Sequence, residues 1–408
     1  MIRGIFSRIG PGPLIAAAFI GPGTVTLCSI AGVDFGFTLL WAMMLSIVAT
    51  IVLQEMSARL GLISRKGLAG VIREELNNPL LRSFAIILIF SAIVIGNAAY
   101  EAGNISGGVL GLSTLFPDTE IWIYDFRINY LILILGAAAF IILYSGSYKI
   151  LERSLIALVF LMSLSFIITA IMTKPDFALV FKGAVVPIIP EGGLLTVIGL
   201  IGTTVVPYNL FLHSSLVKEK WEGKDKLSYA VRDTIVAVVL GGVVSMSIII
   251  SAAAANIATI ENAADLAKGL GPLYGDSAKY FLSSGLFAAG ITSAVTAPLA
   301  AAFAARGIFG WEENMKSMKF RAVWMFILIV GILMASLDLK PIEIIKFAQV
   351  ANGILLPVIS GFLLWVMNRK QVLGKYVNNR FQNIMGFLIL GVTLFLGLKS
   401  IWKVFSTL

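Results

Sequence analysis

The sequence contains one cysteine, Cys28, and one histidine, His213, in 408 residues. A single cysteine excludes an intrachain disulfide and a cysteine-based metal cluster, and a single histidine excludes a zinc site built from several histidines. Charged residues are also scarce, at 13% of the chain, against about 25% in a typical soluble domain. No nucleotide-binding P-loop is present, which argues against a pump driven by nucleotide hydrolysis.

Apolar residues dominate instead, because 58% of the chain is hydrophobic and the mean hydropathy is +0.94. These values place the chain among multi-pass membrane proteins. The net charge of +9 is spread singly between apolar runs, so we interpret it as a signal of membrane topology and expect no nucleic-acid partner. The N-terminal "MIRGIFSRIG" leads directly into an apolar segment, so we expect no cleavable signal peptide.

Stretches free of charged residues predict eleven membrane helices. They fall at 9–33, 35–54, 83–117, 128–148, 154–173, 192–217, 234–260, 280–305, 322–337, 347–368 and 381–398. The third stretch is interrupted by Glu101, so it predicts either one helix or two helices that meet at this residue. We expect short amphipathic helices in the loops 55–82 and 259–279, with "ISRKGLAGVIREEL" either at the membrane interface or as a solvated connector.

The distribution of lysine and arginine decides between one and two helices at Glu101. With one helix and a cytoplasmic N-terminus, 22 of the 31 Lys and Arg residues lie on the cytoplasmic side. Two helices would divide them almost evenly. The positive-inside rule therefore predicts a multi-pass protein of the cell membrane with its C-terminus outside the cytoplasm, and places Glu101 within a membrane helix. No loop is long enough for a soluble domain, so residues 1–408 form one membrane domain.

Two of the predicted helices contain residues that interrupt helices. The first has Gly21, Pro22 and Gly23 within "FIGPGTVTLCS", and the sixth has Gly202 and Pro207 within "GLIGTTVVPYNLFLHSS". Freed backbone groups at membrane depth are tolerated where they line a protected cavity. Interruptions at matching positions of two halves indicate a transporter with a binding site near the middle of the membrane, although each could also be an ordinary proline kink.

Glu101 is the leading candidate among the polar side chains at membrane depth, because an ionisable residue there is costly. Asn104 follows three residues later on the same helix face, and Gly108 and Gly111 continue a stripe of small residues that would let another helix approach closely. The alternative for Glu101 is a purely structural ion pair.

Five further polar positions are candidates, and some of them have a purely structural alternative. His213 could relay protons or simply be hydrogen-bonded. Glu55 closes the second predicted helix beside Arg59, where an ion pair or a gate near the cytoplasmic mouth is expected. Gln349 and Asn352 offer amide oxygens on the tenth predicted helix, and Asp233 at the start of the seventh could cap it.

The motifs "GPGT", "LQEMSARLG", "VVPYNLFLHSS" and "AQVANGILLP" together resemble the NRAMP family of divalent-metal transporters. The resemblance covers nearly the whole chain and agrees with eleven helices. It implies the all-α LeuT-type fold, in which helices one and six are broken. The implied organisation is a first repeat of five helices at 9–173, an inverted second repeat at 192–368, and helix eleven at 381–403.

The chain departs from the family pattern at the expected metal site. The family motif Asp-Pro-Gly-Asn in the first break has Gly21 and Thr24 at its outer positions here, and Met-Pro-His in the sixth helix has become Val206, Pro207 and Tyr208. The later histidine matches His213, the tenth-helix glutamine matches Gln349, and the acidic pair of the third helix is represented by Glu101 and Asn104. Loss of the thioether argues against selection of soft ions, and loss of the aspartate removes charge compensation.

Two interpretations of the substrate stay open. In the first, the carrier moves a hydrated hard divalent cation such as Mg²⁺ rather than Mn²⁺ or Fe²⁺. The metal site then consists of Glu101, which supplies charge, and of outer-shell oxygens from Thr24, Gln349 and Asn209. In the second, metal binding is lost, and the backbone of "GPGT" binds the carboxylate of an amino acid or other zwitterion while Glu101 faces its amine. The complete predicted site comprises Gly21, Gly23, Thr24, Glu101, Asn104, Thr203, Val206, Tyr208, Asn209 and Gln349, with His213 and Glu101 on a proton pathway.

We therefore predict a secondary transporter that works by alternating access. An enzyme would need a nucleophile and base or a metal centre, for which the chain has few residues. A passive channel is disfavoured, because broken helices in matched halves suit a carrier. We expect no cofactor, and as partners only the lipid bilayer and a small-molecule or ion substrate. The oligomeric state is left open by the sequence, and a monomer is compatible with it.

Overall fold

The computed structural model describes residues 20–406, apart from positions 117, 124, 125, 147, 148, 256, 313 and 338. The described chain is almost entirely helical, with one short β-hairpin. The helices before the sixth-helix break are α1 Pro22–Phe35, α2 Leu40–Ser64, α3 Leu68–Glu75, α4 Pro79–Ser113, α5 Tyr130–Ser145, α6 Lys149–Met172, α7 Phe177–Val185 and α8 Leu194–Thr204; the hairpin pairs β1 Glu120–Ile123 with β2 Phe126–Asn129 in antiparallel register. The helices after it are α9 Pro207–Lys220, α10 Leu227–Ala253, α11 Ala263–Lys268, α12 Gly271–Tyr274, α13 Ala278–Phe309, α14 Met318–Ala335, α15 Pro341–Met367, α16 Lys370–Leu373 and α17 Arg380–Ser406.

The first predicted helix is described only from its interruption onward. Helix α1 begins at Pro22, with Gly21 as the residue before it and with the Val25 amide donating to the Gly21 carbonyl at 3.2 Å. Proline suits the first helical position because it lacks an N–H that would have no partner there. Cys28 lies in this helix and is completely buried. The predicted stretch 9–19 lies outside the described residues.

The sixth predicted helix is broken where the sequence indicated. Helix α8 ends at Thr204 and α9 begins at Pro207, with Val205 and Val206 in non-helical conformations between them. Proline removes a backbone donor and clashes with the preceding turn, so the helix cannot continue through Pro207. The break at Pro207 is confirmed.

Glu101 lies within one uninterrupted helix. Helix α4 runs for 35 residues, and the Asn78 side chain accepts hydrogen bonds from the Leu80 and Leu81 amides at its N-terminus. This confirms a single helix at Glu101. Gly108 packs against Gly290 of α13, where a Cβ added at Gly290 would overlap Gly108, and a Cβ added at Gly111 would crowd the Ser283 carbonyl of the same helix. The predicted close approach of other helices to the small-residue stripe is confirmed.

Nine segments of the described chain are long and apolar enough to cross a membrane, and α5 is a shorter apolar helix of 16 residues. The total of eleven and the inverted repeats stay predictions. Several predicted ends were wrong. Helix α2 continues to Ser64 and so includes Glu55 and Arg59, while α10 starts at Leu227. Charge-free windows stop at the first charged residue, whereas helices extend through charged turns near the interface.

The helix predicted from "ISRKGLAGVIREEL" is present as α3, and α11 and α12 occupy the loop 259–279. The apolar side chains of α3 are buried in the protein, with Ala69 close to Gly307 of α13. Helix α3 therefore packs onto the ends of longer helices. Neither the hairpin at 120–129 nor α7 was predicted.

Candidate functional site

The start of helix α1 and the end of helix α8 meet through a pair of threonine side chains. Oγ1 of Thr24 and Oγ1 of Thr203 lie 2.8 Å apart, and both side chains are buried. Thr24 is in the first turn of α1, and Thr203 is in the last turn of α8. The two helix ends therefore bring one hydroxyl each to this shared position.

Two glycines let Gln349 of α15 approach both α1 and α8. A Cβ added at Gly23 would overlap the side-chain amide of Gln349, and one added at Gly202 would overlap the Gln349 carbonyl and crowd the Gly353 amide. Only glycine leaves room for this contact. The structure thus brings together Gly23, Thr24, Thr203 and Gln349 of the predicted site, with Gly21 immediately before α1.

Val206 and Tyr208 lie at the start of α9, after the break, whereas Thr203 lies before it in α8. Both are buried in an apolar cluster that includes Tyr100 of α4 and Phe303 of α13. The rings of Tyr100 and Tyr208 pack edge to face, with centroids 5.3 Å apart. Val206 contributes only apolar surface, so its side chain offers no ligand to a cation.

Several buried polar atoms around these helices have no hydrogen-bond partner among the described residues. They are Oε1 of Glu101, Oε1 of Gln349, the hydroxyl of Tyr208, both amide atoms of Asn209, both amide atoms of Asn97 and Nδ2 of Asn352. An unpartnered buried polar group costs about 1–3 kcal/mol. Such a concentration in one region is typical of a site where water or a ligand completes the hydrogen bonds.

Glu101 faces away from the surface of α4 that meets Gln349. Its side chain packs on Gly331 of α14, and Asn104 donates to Oε2 of Glu101 at 3.4 Å. Gly103, which faces Ala348 of α15, is turned about 160° from Glu101 around the helix. The predicted metal set of Glu101, Thr24 and Gln349 is therefore only partly assembled, because the contacts of Glu101 are with α14.

Asn97 and Asn352 extend the polar region toward the start of α9. They line, together with Tyr208, a cavity of about 10 Å³ between α4, α9 and α15, which is about the space of one water molecule. Asn97 also lies four residues before Glu101, on the same face of α4. Asn97 was missed by the sequence analysis, although its position one turn from Glu101 in a charge-free stretch was a usable signal.

His213 is held by two neighbouring helices. Its Nδ1 lies 2.5 Å from Oε1 of Gln54 on α2, and its Nε2 lies 3.3 Å from the Thr234 hydroxyl on α10. The side chain is completely buried. Both ring nitrogens have protein partners, and Glu101 is not one of them.

Two of the remaining candidates, Glu55 and Asp233, lie inside long helices. Glu55 forms an ion pair with Arg59, with Oε1 2.9 Å from Nε, and Arg59 also donates to the Tyr376 carbonyl at 2.8 Å and to Asn378 at 2.7 Å. The expected pairing of Glu55 is confirmed. Asp233 lies inside α10, six residues after its first residue Leu227, so the interpretation of Asp233 as a cap was wrong.

A family model described as natural resistance-associated macrophage protein-like, Nramp, matches residues 12–403. The chain belongs to the Nramp family. Members of the Nramp family are membrane transporters and not enzymes, so the predicted class is confirmed.

One relative, the divalent metal cation transporter MntH of Verminephrobacter eiseniae, is 28% identical over 91% of this Nramp chain and 83% of its own length. A solved mutant of the Eremococcus coleocola manganese transporter has a TM-score of 0.73 at 20% identity, covering 97% of this chain and 86% of that one. MhsT in complex with L-phenylalanine has a TM-score of 0.59 at 14% identity, covering 96% and 98%. These two likenesses show the fold alone.

The Nramp chain has few residues that could form an inner metal shell. Within the described ranges, no group of three or more His, Cys, Asp or Glu side chains is close enough to hold a metal ion. The polar atoms of the site belong to amides and hydroxyls, with Glu101 as the buried carboxylate nearby. Neutral oxygen donors suit hard cations, which favour oxygen ligands and keep part of their water shell.

Proposed function

We propose that this Nramp chain is a secondary transporter that carries a hard divalent cation across the membrane by alternating access. Family membership over residues 12–403 supports transport, and the relative from Verminephrobacter eiseniae that matches most of the chain is named as a divalent metal cation transporter. The break between α8 and α9 supports alternating access, because a broken helix supplies a binding site without a continuous pore.

The observation that carries the proposal is that two buried neutral oxygens, Oδ1 of Asn209 and Oε1 of Gln349, lack partners in the described part of the chain, with the carboxylate of Glu101 nearby. Both amide oxygens are hard donors. Val206 stands where the family pattern has methionine, so the break supplies no thioether from that position. Mg²⁺ demands oxygen ligands and releases water reluctantly, so a hydrated Mg²⁺ matches a site of neutral oxygens better than a bare soft ion.

Glu101 supplies the charge in this proposal without touching the ion. Glu101 is the residue after Tyr100, and the ring of Tyr100 packs on Tyr208 at the start of α9. Asn97 lines the Tyr208 cavity and shares a helix face with Glu101, so a water chain through Asn97 would connect the two. We propose that Glu101 balances the cation in one state and carries a proton in another, with His213 holding α9 against α2 and α10.

Proteoliposomes test the substrate directly. We expect purified protein to take up Mg²⁺ at millimolar concentration, with Mn²⁺ competing no better than Mg²⁺ at equal concentration. A strong preference for Mn²⁺ would contradict the role assigned to Val206 and favour inner-shell coordination. A thermal-unfolding assay shows whether the protein in the vesicles is folded. If folded protein moved neither Mg²⁺ nor Mn²⁺, the proposal of cation transport would be overturned.

The zwitterion carrier is a second candidate, and the helix ends favour it. Both α1 and α9 start at the site, at Pro22 and Pro207. Helix N-termini carry partial positive charge and bind carboxylates well. An amino-acid panel in the same vesicles separates the candidates, because amino-acid uptake without dication uptake would select the second.

A further inference from the structure

A basic cavity of about 280 Å³ opens at the ends of α2, α9 and α13, on the side predicted to be cytoplasmic. Its size is close to the lower limit of the roughly 300–1,000 Å³ of small-molecule sites. Helix α3 forms one wall. The cationic side chains that line it are Arg65, Lys66, Arg73, Lys218 and Arg306.

Positive charge in this cavity far exceeds negative charge. Among the described residues that line the cavity, one is acidic. This residue is Glu74, which already forms an ion pair with Lys66. Arg73 has no hydrogen-bond or ion-pair partner within the described ranges, and its guanidinium lies against the backbone of Gly310. A cationic fork with open donors beside a cavity favours an anion with several oxygens.

The walls hold part of this arrangement rigid. Arg306 is 7% exposed, and its guanidinium lies over the Phe303 ring at 4.9 Å. Gly67 and Gly70 bring the N-terminal turn of the eight-residue helix α3 into the wall, and Ser214 accepts a hydrogen bond from the Leu68 amide there at 3.0 Å. A helix N-terminus adds a further positive contribution to a site for anions.

We propose that this cavity binds a phosphate group, which Arg73 contacts directly and Lys218 and Arg306 attract electrostatically. The proposal does not depend on the transported substrate. Phosphate offers several acceptor oxygens and negative charge in one compact group, which matches an arginine fork in a basic cavity. The group can come from an anionic lipid headgroup, because basic pockets between membrane helices bind such headgroups, or from a soluble phosphate.

A purely structural role for the cations is the competing explanation. Arg73, Lys218 and Arg306 lie in the last turns of α3, α9 and α13, where positive charge stabilises a helix C-terminus. That role needs the charges but no open space. A variant that fills the space and keeps every charge therefore separates the two explanations.

The test uses full-length protein with two substitutions. Arg73→Gln removes the open fork. Gly70→Leu fills the cavity with all charges retained, and an added Cβ at Gly70 meets no atom within 4 Å, so the backbone has no need to shift. The matched control is Lys370→Gln, an exposed cation outside the cavity on the same predicted side.

Two probes distinguish the sources of phosphate. Inorganic phosphate is titrated against detergent-solubilised protein in a thermal-unfolding assay, and phosphatidylglycerol retention is measured by native mass spectrometry from nanodiscs of phosphatidylcholine with one-quarter phosphatidylglycerol. We expect at least one probe to bind the wild type and Lys370→Gln, and each cavity variant to bind it about tenfold more weakly. Binding of phosphatidylglycerol alone identifies a lipid site, and binding of inorganic phosphate alone identifies a soluble ligand.

Three results would overturn the proposal. The first is that neither probe binds the wild type. The second is unchanged binding in Arg73→Gln, and the third is unchanged binding in Gly70→Leu, which would leave the cations with a role at the helix ends only. None of these three results depends on dication transport. A failure of the proposed transport function would therefore be distinguishable from a failure of the phosphate proposal.

Discussion

Thr24 and Thr203, 179 residues apart in the chain, join their hydroxyls at 2.8 Å where the start of α1 meets the end of α8. Each hydroxyl is buried beside backbone that has left the regular helical pattern. This is the direct polar link between the N-terminal turn of α1 and the C-terminal turn of α8. A transporter that opens one side of the membrane has to keep or break this link.

Replacing Thr203 with valine removes the hydroxyl with little change in shape. We expect Thr203→Val to lower the free energy of unfolding by about 1–3 kcal/mol, because the Thr24 hydroxyl loses this partner. A chemical-denaturation double-mutant cycle with Thr24→Val measures the coupling. A coupling energy near zero would show that the 2.8 Å contact contributes nothing.

Gly202→Ala tests the close approach of α8 to α15. The new Cβ would overlap the backbone carbonyl of Gln349 and crowd the Gly353 amide, and neither can rotate away as a side chain could. We expect a loss of about 1–3 kcal/mol and a large loss of transport. Gly361→Ala is the control, because a Cβ at Gly361 meets no atom within 4 Å; equal thermal stability of the two variants would refute the packing argument.

Glu101→Gln tests the buried carboxylate. The substitution keeps the size of the side chain and its contact with Gly331, so we expect normal expression and a monodisperse protein. We expect dication uptake in proteoliposomes to fall at least tenfold, because the site loses its nearby charge. The control is Glu343→Gln, an exposed residue paired with Lys346 at 3.1 Å. Full activity of Glu101→Gln would remove Glu101 from the mechanism.

Arg59→Lys tests the anchor of the loop before α17. Arg59 contacts Glu55, the Tyr376 carbonyl and Asn378 at once, and a lysine cannot reproduce this fork. We expect a loss of about 1–3 kcal/mol and faster proteolysis within 374–380. Arg232→Lys, at an exposed position, serves as the control. Identical cleavage rates would show that the loop is held by other contacts.

The helix-level features of this fold were predictable because they follow from local chemistry. Pro207 removes a donor in the middle of an apolar stretch, so the break at α8 and α9 could be placed from the sequence. The distribution of Lys and Arg predicted one helix through Glu101, and α4 is one helix. The sequence indicated that Gly23 and Gly202 lie at predicted helix interruptions. It did not indicate that Gln349 is the residue that packs against both of them.

The rotation of each helix about its axis was harder to predict. Helix α4 carries apolar and small residues on all sides near Glu101, so the sequence does not show which face meets α14 and which meets α15. Glu101 was therefore placed with Gln349, although it packs on Gly331. Helix ends were misplaced at α2 and α10 for a different reason, since charged residues continue a helix past its apolar stretch.

The complete burial of Cys28 in α1 has a practical consequence. A thiol-specific spin label or fluorophore added to folded protein would find no accessible sulfur in this conformation, so reporter cysteines can be introduced one or two at a time without first replacing the natural residue. Distances between such probes on α9 and α14 would then follow the opening of the carrier in a lipid environment. Slow labelling of Cys28 itself, if it increased when substrate is added, would report that α1 has moved away from its neighbours.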